Sequence, residues 1–317
     1  MKKVALCLYV MYFLVGCAPT SPSTTEAAVV EHWYDVMPRA SWAKYPQVET
    51  SQNWFEVYQI SDNTYAIYEP FQWQEAISYL LIGSGNALLV DTLQGIGDLK
   101  TVVSQLTDLP VIVINTHSHF DHISGNYQFE TVYGFNQSFA LNNAKGHVNA
   151  VNAQYMTPDT FWKNIPSSFS AETYHNKAYD IDKFVEDGEV IELGGRPIKV
   201  VAIPGHSPDS VILVDKTNRM MLTGDSFYPA SLYLYFDTSS FKDFAQSAQT
   251  MLSYRNDVDF LLPGHNETMQ PVNYLTKLHE ATLAVQNPEA PSTLEEEGVR
   301  NYQFNGFSLL VKDPLDR

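Results

Sequence analysis

The sequence contains very little cysteine. Of its 317 residues only Cys7 and Cys17 are cysteine, and both lie near the N-terminus. The rest of the chain therefore has no thiol with which to form a disulfide bond or bind a metal. Any metal ion held by the remaining residues must be bound by histidine and carboxylate side chains.

Basic residues are also scarce. The chain carries 19 lysines and arginines against 36 aspartates and glutamates, which gives a formal net charge of −17 at pH 7. Because an acidic surface repels nucleic acid and anionic lipid, this balance argues against a phosphate backbone as a partner. We expect a small-molecule substrate and no nucleic acid, and the sequence indicates no particular oligomeric state.

Long hydrophobic runs are missing except at the N-terminus. Val4–Val15 is apolar, follows the basic Met1-Lys2-Lys3, and is too short to span a bilayer comfortably. The run ends in Leu14-Val15-Gly16-Cys17, and the polar stretch Thr20–Thr25 follows it. These features predict a targeting segment over residues 1–17 and a tether with an N-terminal extension over residues 18–53.

The segment 1–17 resembles a bacterial lipoprotein signal peptide in which Cys17 is lipidated and becomes the first residue of the mature chain. The resemblance implies a lipid-anchored protein of the cell envelope that meets the membrane through its N-terminus and faces the periplasm or the exterior. Ala18 is not the aspartate that marks inner-membrane retention in some bacteria, which favours the outer membrane. An ordinary signal peptide or a short anchor is the alternative.

The main domain is predicted over residues 54–317. Alternating apolar and polar residues predict hairpins over 55–68 and 78–91. Further strands are predicted at 111–114, 190–193, 198–203, 211–214, 220–222 and 260–262, helices at 95–106, 139–151, 241–254 and 272–286, and a closing strand pair over 302–311. Hairpins followed by alternating strands and helices predict an α/β (α+β) domain with a mixed sheet flanked by helices.

The stretch Tyr155–Phe184 is rich in aromatic and polar residues and has little periodicity. A long irregular insertion of this kind often forms a lid or a wall of a substrate site. The alternative is a surface excursion with a small core of its own.

Four predicted strands end in short loops that carry histidine or aspartate. The strand at 111–114 runs into Thr116-His117-Ser118-His119-Phe120-Asp121-His122, and the other three loops carry His206, Asp225 and His265. Five of the nine histidines lie in these loops. The other four have no such context: His32, His147, His175 and His279. Chance would rarely place so many potential ligands at strand ends, so we predict a metal site at the edge of the sheet.

The first loop offers ligands for two metal ions. In His-x-His the side chains of His117 and His119 point the same way along an extended backbone, so one ion can bind both. Asp121 and His122 fall on the opposite side of the turn and suit a second ion.

The three later loops supply what the first loop lacks. Asp225 can bridge two ions with its two oxygens. Once His206 and His265 are added, each ion has three protein ligands besides this bridge. Two divalent ions about 3.5–4 Å apart convert a shared water into hydroxide and bind both the attacking and the leaving oxygen.

This ordered ligand set resembles the metallo-β-lactamase superfamily over roughly residues 55 to 270, with all seven ligand positions filled. The resemblance implies an αββα four-layer sandwich of two mixed β-sheets flanked by helices, with two Zn²⁺ ions at the sheet edges. It assigns His117, His119 and His206 to the first ion, Asp121, His122 and His265 to the second, and Asp225 to the bridge. Asp91, at the end of the second hairpin, is expected to orient a ligand histidine.

The bridging aspartate resembles the glyoxalase II and lactonase branches more than the true β-lactamases, which typically lack it. Lactonases of the family carry a tyrosine three residues after this aspartate that can hydrogen-bond the substrate carbonyl, and Tyr228 has this spacing from Asp225. The resemblance implies a substrate contact for Tyr228, with a packing role as the alternative. The basic residues with which glyoxalase II binds glutathione are not recognisable here.

The resulting hypothesis is a zinc-dependent hydrolase that cleaves an ester, lactone, thioester or amide bond through a metal-bridging hydroxide, with Asp121 accepting a proton from the nucleophile. One alternative is a mononuclear iron enzyme like the persulfide dioxygenases, which bind iron with two histidines and one aspartate and do not need His265 as a ligand. A true β-lactamase is another. A binding protein with structural metals fits least, because the ligand set lacks the closed four-ligand shell of structural zinc.

Overall fold

Residues 32–146, 154–296 and 298–315 are described by a computed structural model. The predicted signal peptide, Cys17 and the start of the tether lie outside these residues, so lipidation stays a prediction. Among the helices of the described ranges, none is both long and apolar enough to cross a membrane.

The first sheet has eight strands in chain order. They are β1 Gln47–Val48, β2 Glu56–Ser61, β3 Thr64–Tyr68, β4 Ile77–Ile82, β5 Ala87–Val90, β6 Val111–Ile114, β7 Val132–Gly134 and β8 Lys183–Phe184. Strands β1 to β5 pair antiparallel, as the two predicted hairpins require, and β5 to β8 pair in parallel. The central strands are almost continuously apolar because the sheet is covered on both faces.

The second sheet has six strands in the order β15-β14-β12-β11-β10-β9. They are β9 Val190–Glu192, β10 Pro197–Ala202, β11 Val211–Asp215, β12 Met220–Gly224, β14 Phe260–Pro263 and β15 Gln270–Pro271. Strands β12 and β14 are parallel neighbours, and the other pairs are antiparallel. The carboxyl ends of β12 and β14 therefore meet at one edge of the sheet.

A third, four-stranded sheet was not predicted as such. Its order is β13-β18-β17-β16, with β13 Ser231–Leu234, β16 Thr293–Glu296, β17 Val299–Phe304 and β18 Phe307–Lys312. The predicted closing strand pair is the hairpin of β17 and β18, which turns at Gly306 with φ +95°. Strand β13 joins β18 in parallel and so ties this hairpin to the loop that follows β12.

Five α-helices lie wholly within the described residues: α1 Leu99–Leu106, α2 Phe120–Ile123, α3 Ser138–Asn143, α4 Phe241–Ser253 and α5 Tyr274–Val285. Helix α1 begins later than the predicted residue 95 because the Asp98 carboxylate caps it, accepting a hydrogen bond from Thr101 N at 3.0 Å. Helix α3 ends at Asn143, and most of the remainder of the helix predicted over 139–151 lies outside the described residues.

The apolar side chains form the layers of an αββα sandwich, which confirms the predicted fold. Helix α1 packs through Val102 and Val103 on the outer face of the first sheet. The inner faces of the two sheets meet through residues such as Leu88 and Leu222. Helices α4 and α5 cover the outer face of the second sheet, where Phe244 is buried.

A buried ion pair joins the two sheets at the end opposite the ligand-bearing loops. Arg196 Nε and Nη2 lie 2.8 and 2.7 Å from Asp215 Oδ2, at the end of β11. The guanidinium also donates to the carbonyl oxygens of Asn63 and Ile82 and to Thr64 Oγ1, all in the first sheet or its turns. Arg196 is 4% exposed and Asp215 is 0% exposed, so water does not solvate the pair.

The segment Tyr155–Phe184 packs on the first sheet. Phe161 is buried beside Trp54, at a ring-centroid distance of 6.2 Å, and forms a β-bridge with Gln72. Tyr155 faces the cleft described below. Tyr155 and Asn176 of the segment therefore contribute to the wall of that cleft, while most of its other aromatic residues join the core of the first sheet and do not form the separate small core that was the alternative.

Candidate metal centre and cleft

Strand β6 leads directly into the first four ligands. The strand is buried from Ile112 to Ile114, and the chain then turns into the ligand stretch. His119 is the N-cap of α2, and Asp121 and His122 lie within this short helix. The turn places all four side chains at the carboxyl edge of the first sheet.

The other three ligands come from the second sheet. His206 follows β10, Asp225 follows β12, and His265 follows β14. Gly264 allows this loop to approach the first sheet closely, because a Cβ there would lie 2.9 Å from His122 Cε1. All seven predicted ligands are thus brought together by two sheets.

The first ligand set consists of three histidine nitrogens. His117 Nε2 and His119 Nδ1 are 2.9 Å apart, and His119 Nδ1 is 2.9 Å from His206 Nε2. His206 Nδ1 lies 2.7 Å from the carbonyl oxygen of Tyr233, which orients the ring so that Nε2 points into the centre. The three nitrogens surround one position, as expected for a single ion.

The second ligand set consists of one carboxylate and two histidines. Asp121 Oδ2 lies 3.8 Å from His122 Nε2 and 3.6 Å from His265 Nε2. The other ring nitrogen of each histidine is held: His122 Nδ1 is 2.8 Å from Asp91 Oδ2, and His265 Nδ1 is 2.7 Å from the carbonyl oxygen of Gln74. Such contacts fix the ring orientation of a ligand histidine.

Asp225 lies between the two sets. Its Oδ2 is 3.5 Å from His206 Nε2, while its Oδ1 is 3.2 Å from His122 Nε2 and 3.0 Å from His265 Nε2. One oxygen therefore faces each set, which is the geometry of a bridging carboxylate.

The electrostatics of the first set favour neutral imidazole, the form that binds metals. Burial, together with repulsion from neighbouring histidines, lowers the pKa values of His117 and His119 well below their ordinary value. Burial also lowers the pKa of His206, although the charge of Asp225 acts against it.

In the second set, by contrast, the pKa values of both histidines are raised. Burial lowers the pKa of His122, but the charges of Asp91, Asp225 and Asp121 outweigh it and hold that pKa well above its ordinary value. The pKa of His265 is also raised, because the charge of Asp225 outweighs burial. Burial opposes ionisation of Asp225, yet the charges of His265 and His122 hold its pKa well below the usual range.

His122 Nε2 and Asp225 Oδ1 are buried at the centre and lie 3.2 Å apart, yet neither atom has a partner in hydrogen-bond geometry among the described residues. An unsatisfied buried polar group costs about 1–3 kcal/mol, so such atoms usually have an unseen partner. Imidazole nitrogens and carboxylate oxygens are the donors that zinc prefers in a chain without thiols. The residues present therefore fit bound metal ions.

Asp91 has the supporting role that was expected for it. Its Oδ1 accepts from Thr116 N at 2.7 Å, and its Oδ2 accepts from Thr116 Oγ1 at 2.8 Å and lies next to His122. The backbone of Asp91 is left-handed, with φ +64°, so strain is held at this position by the surrounding contacts.

Sequence reasoning missed the contribution of residues 74–75 and of the N-terminal extension. Gln74 Nε2 donates to Asp121 Oδ2 at 3.1 Å. The next residue, Glu75, is bound by Arg39, whose Nη2 lies 2.7 Å from Oε1. Trp42 Nε1 donates to the carbonyl oxygen of Asn266, directly after His265. The extension therefore packs against the chain segments that carry the second ligand set.

A cleft of about 720 Å³ opens beside the ligand atoms. His119, Asp121, His206, Asp225 and His265 line its floor, and aromatic side chains form its walls. Tyr228 also lines it, with its ring 5.1 Å from that of His265. The Tyr228 hydroxyl donates to the carbonyl oxygen of Ser231 at 2.6 Å, so the predicted substrate contact requires an exchange of this partner.

Three of the remaining histidines are described, and none belongs to a ligand set. His175 Nδ1 lies 2.8 Å from the Thr173 carbonyl oxygen, His32 stacks on Tyr34, and His279 lies in α5. His147 lies outside the described residues.

The family model of the metallo-beta-lactamase superfamily matches residues 75–265, which is more than half of the chain and includes all seven ligands. The chain belongs to the metallo-β-lactamase superfamily. Two curated relatives of this superfamily member carry hydrolase names. The acyl-coenzyme A thioesterase MBLAC2 of Homo sapiens is 27% identical over 236 residues, covering 68% of this chain and 82% of its own. The hydroxyacylglutathione hydrolase of Francisella tularensis subsp. tularensis is 26% identical over 154 residues, covering 49% of this chain and 48% of its own.

Solved structures of other proteins share the fold. The DIM-1 metallo-β-lactamase has a TM-score of 0.53 at 18% identity, covering 75% of this chain and 100% of its own. The sec-alkylsulfatase Pisa1 from Pseudomonas sp. has a TM-score of 0.56 at 15% identity, covering 74% of this chain and 45% of its own. The comparisons support a hydrolase of this superfamily, while zinc, the count of two ions and the substrate stay predictions.

Proposed function

We propose that this protein is a dinuclear zinc hydrolase that cleaves a thioester or ester bond of a small acyl substrate. The observation that carries the proposal is the position of Asp225 between two complete ligand sets, with Oδ2 facing His206 and Oδ1 facing His122 and His265. Two ions bound here would lower the pKa of a shared water and polarise the carbonyl group under attack.

Two side chains of the cleft have roles in proton transfer and in substrate contact. The Asp121 carboxylate faces the second ligand set, is fixed by Gln74, and accepts a proton from the attacking water. Burial and the charge of Asp225 raise the pKa of Tyr228 well above its ordinary value, so its hydroxyl keeps its proton and can donate to the substrate carbonyl oxygen.

The choice of a thioester or ester rests on the relatives and on the cleft. One relative is named an acyl-coenzyme A thioesterase and another a hydroxyacylglutathione hydrolase, and both names denote thioester substrates. Aromatic walls beside the ligand atoms suit an acyl chain. A lactone offers the same carbonyl chemistry and belongs in any substrate screen.

The alternatives fit less well. A persulfide-dioxygenase-like iron enzyme needs one ion, whereas His265 here completes a second ligand set with Asp121 and His122. A true β-lactamase would not need the bridging carboxylate of Asp225.

Removal of metal tests the proposal. Chelator treatment is expected to lower thioester turnover about 1000-fold, because bound metal ions contribute several kcal/mol to transition-state stabilisation. Added zinc should restore activity together with two zinc ions per chain, measured by plasma mass spectrometry. One iron per chain with thiol-dependent oxygen uptake would instead support the iron alternative, and full turnover after chelation would reject both.

We also propose that the protein is lipid-anchored in the cell envelope through Cys17, on the strength of the lipoprotein-like signal. An alkyne fatty acid fed to expressing cells is expected to label the protein, and Cys17→Ser should abolish both the label and sedimentation with membranes. Cys7→Ser is the matched control, because that cysteine lies inside the removed segment and its loss should leave labelling intact. Labelled Cys17→Ser protein would contradict the anchor.

A further inference from the structure

The cleft has one aromatic wall beside the first ligand set. The rings of Phe139 and Phe236 lie 5.6 and 5.5 Å from the ring of His119. Tyr235 packs on Phe236 at a centroid distance of 5.0 Å. All three are half-buried and line the cleft, so apolar surface faces the space next to the ligand atoms.

A second aromatic wall lies beside the second ligand set. Tyr155 stacks on Phe120 with nearly parallel rings 5.6 Å apart, and Trp73 packs on Tyr155 at 5.7 Å. Trp73 is adjacent in sequence to Gln74, which holds Asp121. An acyl group and a leaving group on either side of a carbonyl can therefore each meet an aromatic surface, which buries large apolar areas.

Apart from the ligand histidines and the proposed metal ions, the charged side chains that line the cleft are all acidic. Of the described residues that line the cleft, none is lysine or arginine. Apart from the two aspartates among the ligands, the charged side chain of the lining is Asp237, which is exposed at the rim. Lys312 Nζ is 2.8 Å from Asp237 Oδ1, so this nearby cation is paired.

Phosphate groups are bound in proteins chiefly by arginine, lysine and backbone amides. A phosphorylated leaving group that extends through this cleft would meet aromatic rings and the Asp237 carboxylate, on a chain of net charge −17. An uncharged leaving group would instead pack on the walls at no electrostatic cost.

We infer that the enzyme hydrolyses acyl thioesters or esters whose leaving group is uncharged, and discriminates against the phosphorylated leaving group of coenzyme A. The inference rests on the proposed function, because it concerns the substrate of that reaction. Water adds to the carbonyl carbon, and the carbon–sulfur bond of a thioester or the acyl carbon–oxygen bond of an ester breaks. The products are a carboxylic acid and a neutral thiol or alcohol. The enzyme would thus differ in leaving group from the relatives named for acyl-coenzyme A.

A pair of substrates with the same octanoyl group tests this inference. On zinc-loaded protein, kcat/KM for the N-acetylcysteamine thioester is expected to exceed that for the coenzyme A thioester by at least about tenfold at low salt, and added sodium chloride should narrow the gap by screening repulsion. Equal or better use of the coenzyme A thioester at low salt would overturn the inference.

A binding measurement separates this inference from the proposed function. Non-hydrolysable thioether analogues of the two substrates are titrated against the fluorescence of Trp73, with Trp73→Phe as the control that removes the signal. If neither thioester is turned over, the thioesterase proposal fails, but tighter binding of the uncharged thioether still supports the charge preference. Tighter binding of the coenzyme A thioether would reject it.

A substitution of Asp237 at the rim tests whether the charge of the cleft causes the preference for an uncharged leaving group. Asp237→Asn removes the carboxylate and frees Lys312. The ratio of kcat/KM for the N-acetylcysteamine thioester to that for the coenzyme A thioester should therefore fall by about threefold. Asp62→Asn, in an exposed turn outside the cleft lining, makes the same change in net charge and should leave the gap unchanged. An equal effect of both variants would assign the preference to the charge of the whole protein and overturn the role of the cleft.

Discussion

Under the proposed function, replacement of Asp225 by asparagine is expected to lower kcat/KM for a thioester about 1000-fold, because it removes the carboxylate that would bridge the two metal ions. Asparagine keeps the shape of the side chain but offers a neutral oxygen and an NH₂ group in place of two anionic oxygens. Either the oxygen 3.5 Å from His206 Nε2 or the one 3.0 Å from His265 Nε2 is lost as a ligand. Metal analysis of the variant should find fewer than two zinc ions per chain.

The control for this change is Asp62→Asn, which makes the same substitution in an exposed turn. It should retain both ions and full activity. Circular dichroism of the two variants separates loss of metal from loss of fold. Wild-type turnover with two bound ions in Asp225→Asn would rule out the bridging role.

Replacement of Asp215 by asparagine is expected to lower the free energy of unfolding by about 3–5 kcal/mol, because it leaves the buried guanidinium of Arg196 without its counter-charge. The two residues are 0% and 4% exposed, so water cannot replace the carboxylate. Carbonyl oxygens of Asn63 and Ile82 remain as acceptors, but they do not neutralise the charge. Urea denaturation followed by circular dichroism measures the change.

The exposed pair of Arg219 and Asp259 is the matched comparison. It has the same residue types, with Nε–Oδ2 and Nη2–Oδ1 distances of 2.7 Å, but both side chains are about half exposed. Asp259→Asn should leave the unfolding midpoint almost unchanged, because water screens and solvates this pair. Similar unfolding midpoints for the two variants would show that burial does not determine how much the Arg196–Asp215 pair contributes to stability.

The seven potential ligands could be found from the sequence because each follows a strand that is recognisable by itself. Val111–Ile114 and Phe260–Pro263 are apolar runs bounded by polar turns, and adjacent strands that end at one edge bring their following loops together. The two long helices α4 and α5 were predicted almost to their ends, since their apolar faces recur with helical spacing.

The supporting contacts could not be predicted, because they join residues far apart in the chain. Nothing local to Arg39 or Glu75 indicates that these two side chains pair next to the second ligand set. The same holds for short edge strands such as β8, Lys183–Phe184, whose conformation depends on pairing with β7. The sequence shows the aromatic residues of the cleft walls, but it does not predict that they line one cleft, since their positions depend on tertiary packing.

The division of the ligands between two sheets has a thermodynamic consequence. His117 to His122 belong to the first sheet, and His206, Asp225 and His265 belong to the second, so unfolding takes the ligands apart. An ion that binds only the folded chain stabilises it by about 1.4 kcal/mol per site for each tenfold rise in free ion concentration above the dissociation constant. Under the proposed function, the abundance of folded protein would therefore follow the zinc supply of its surroundings.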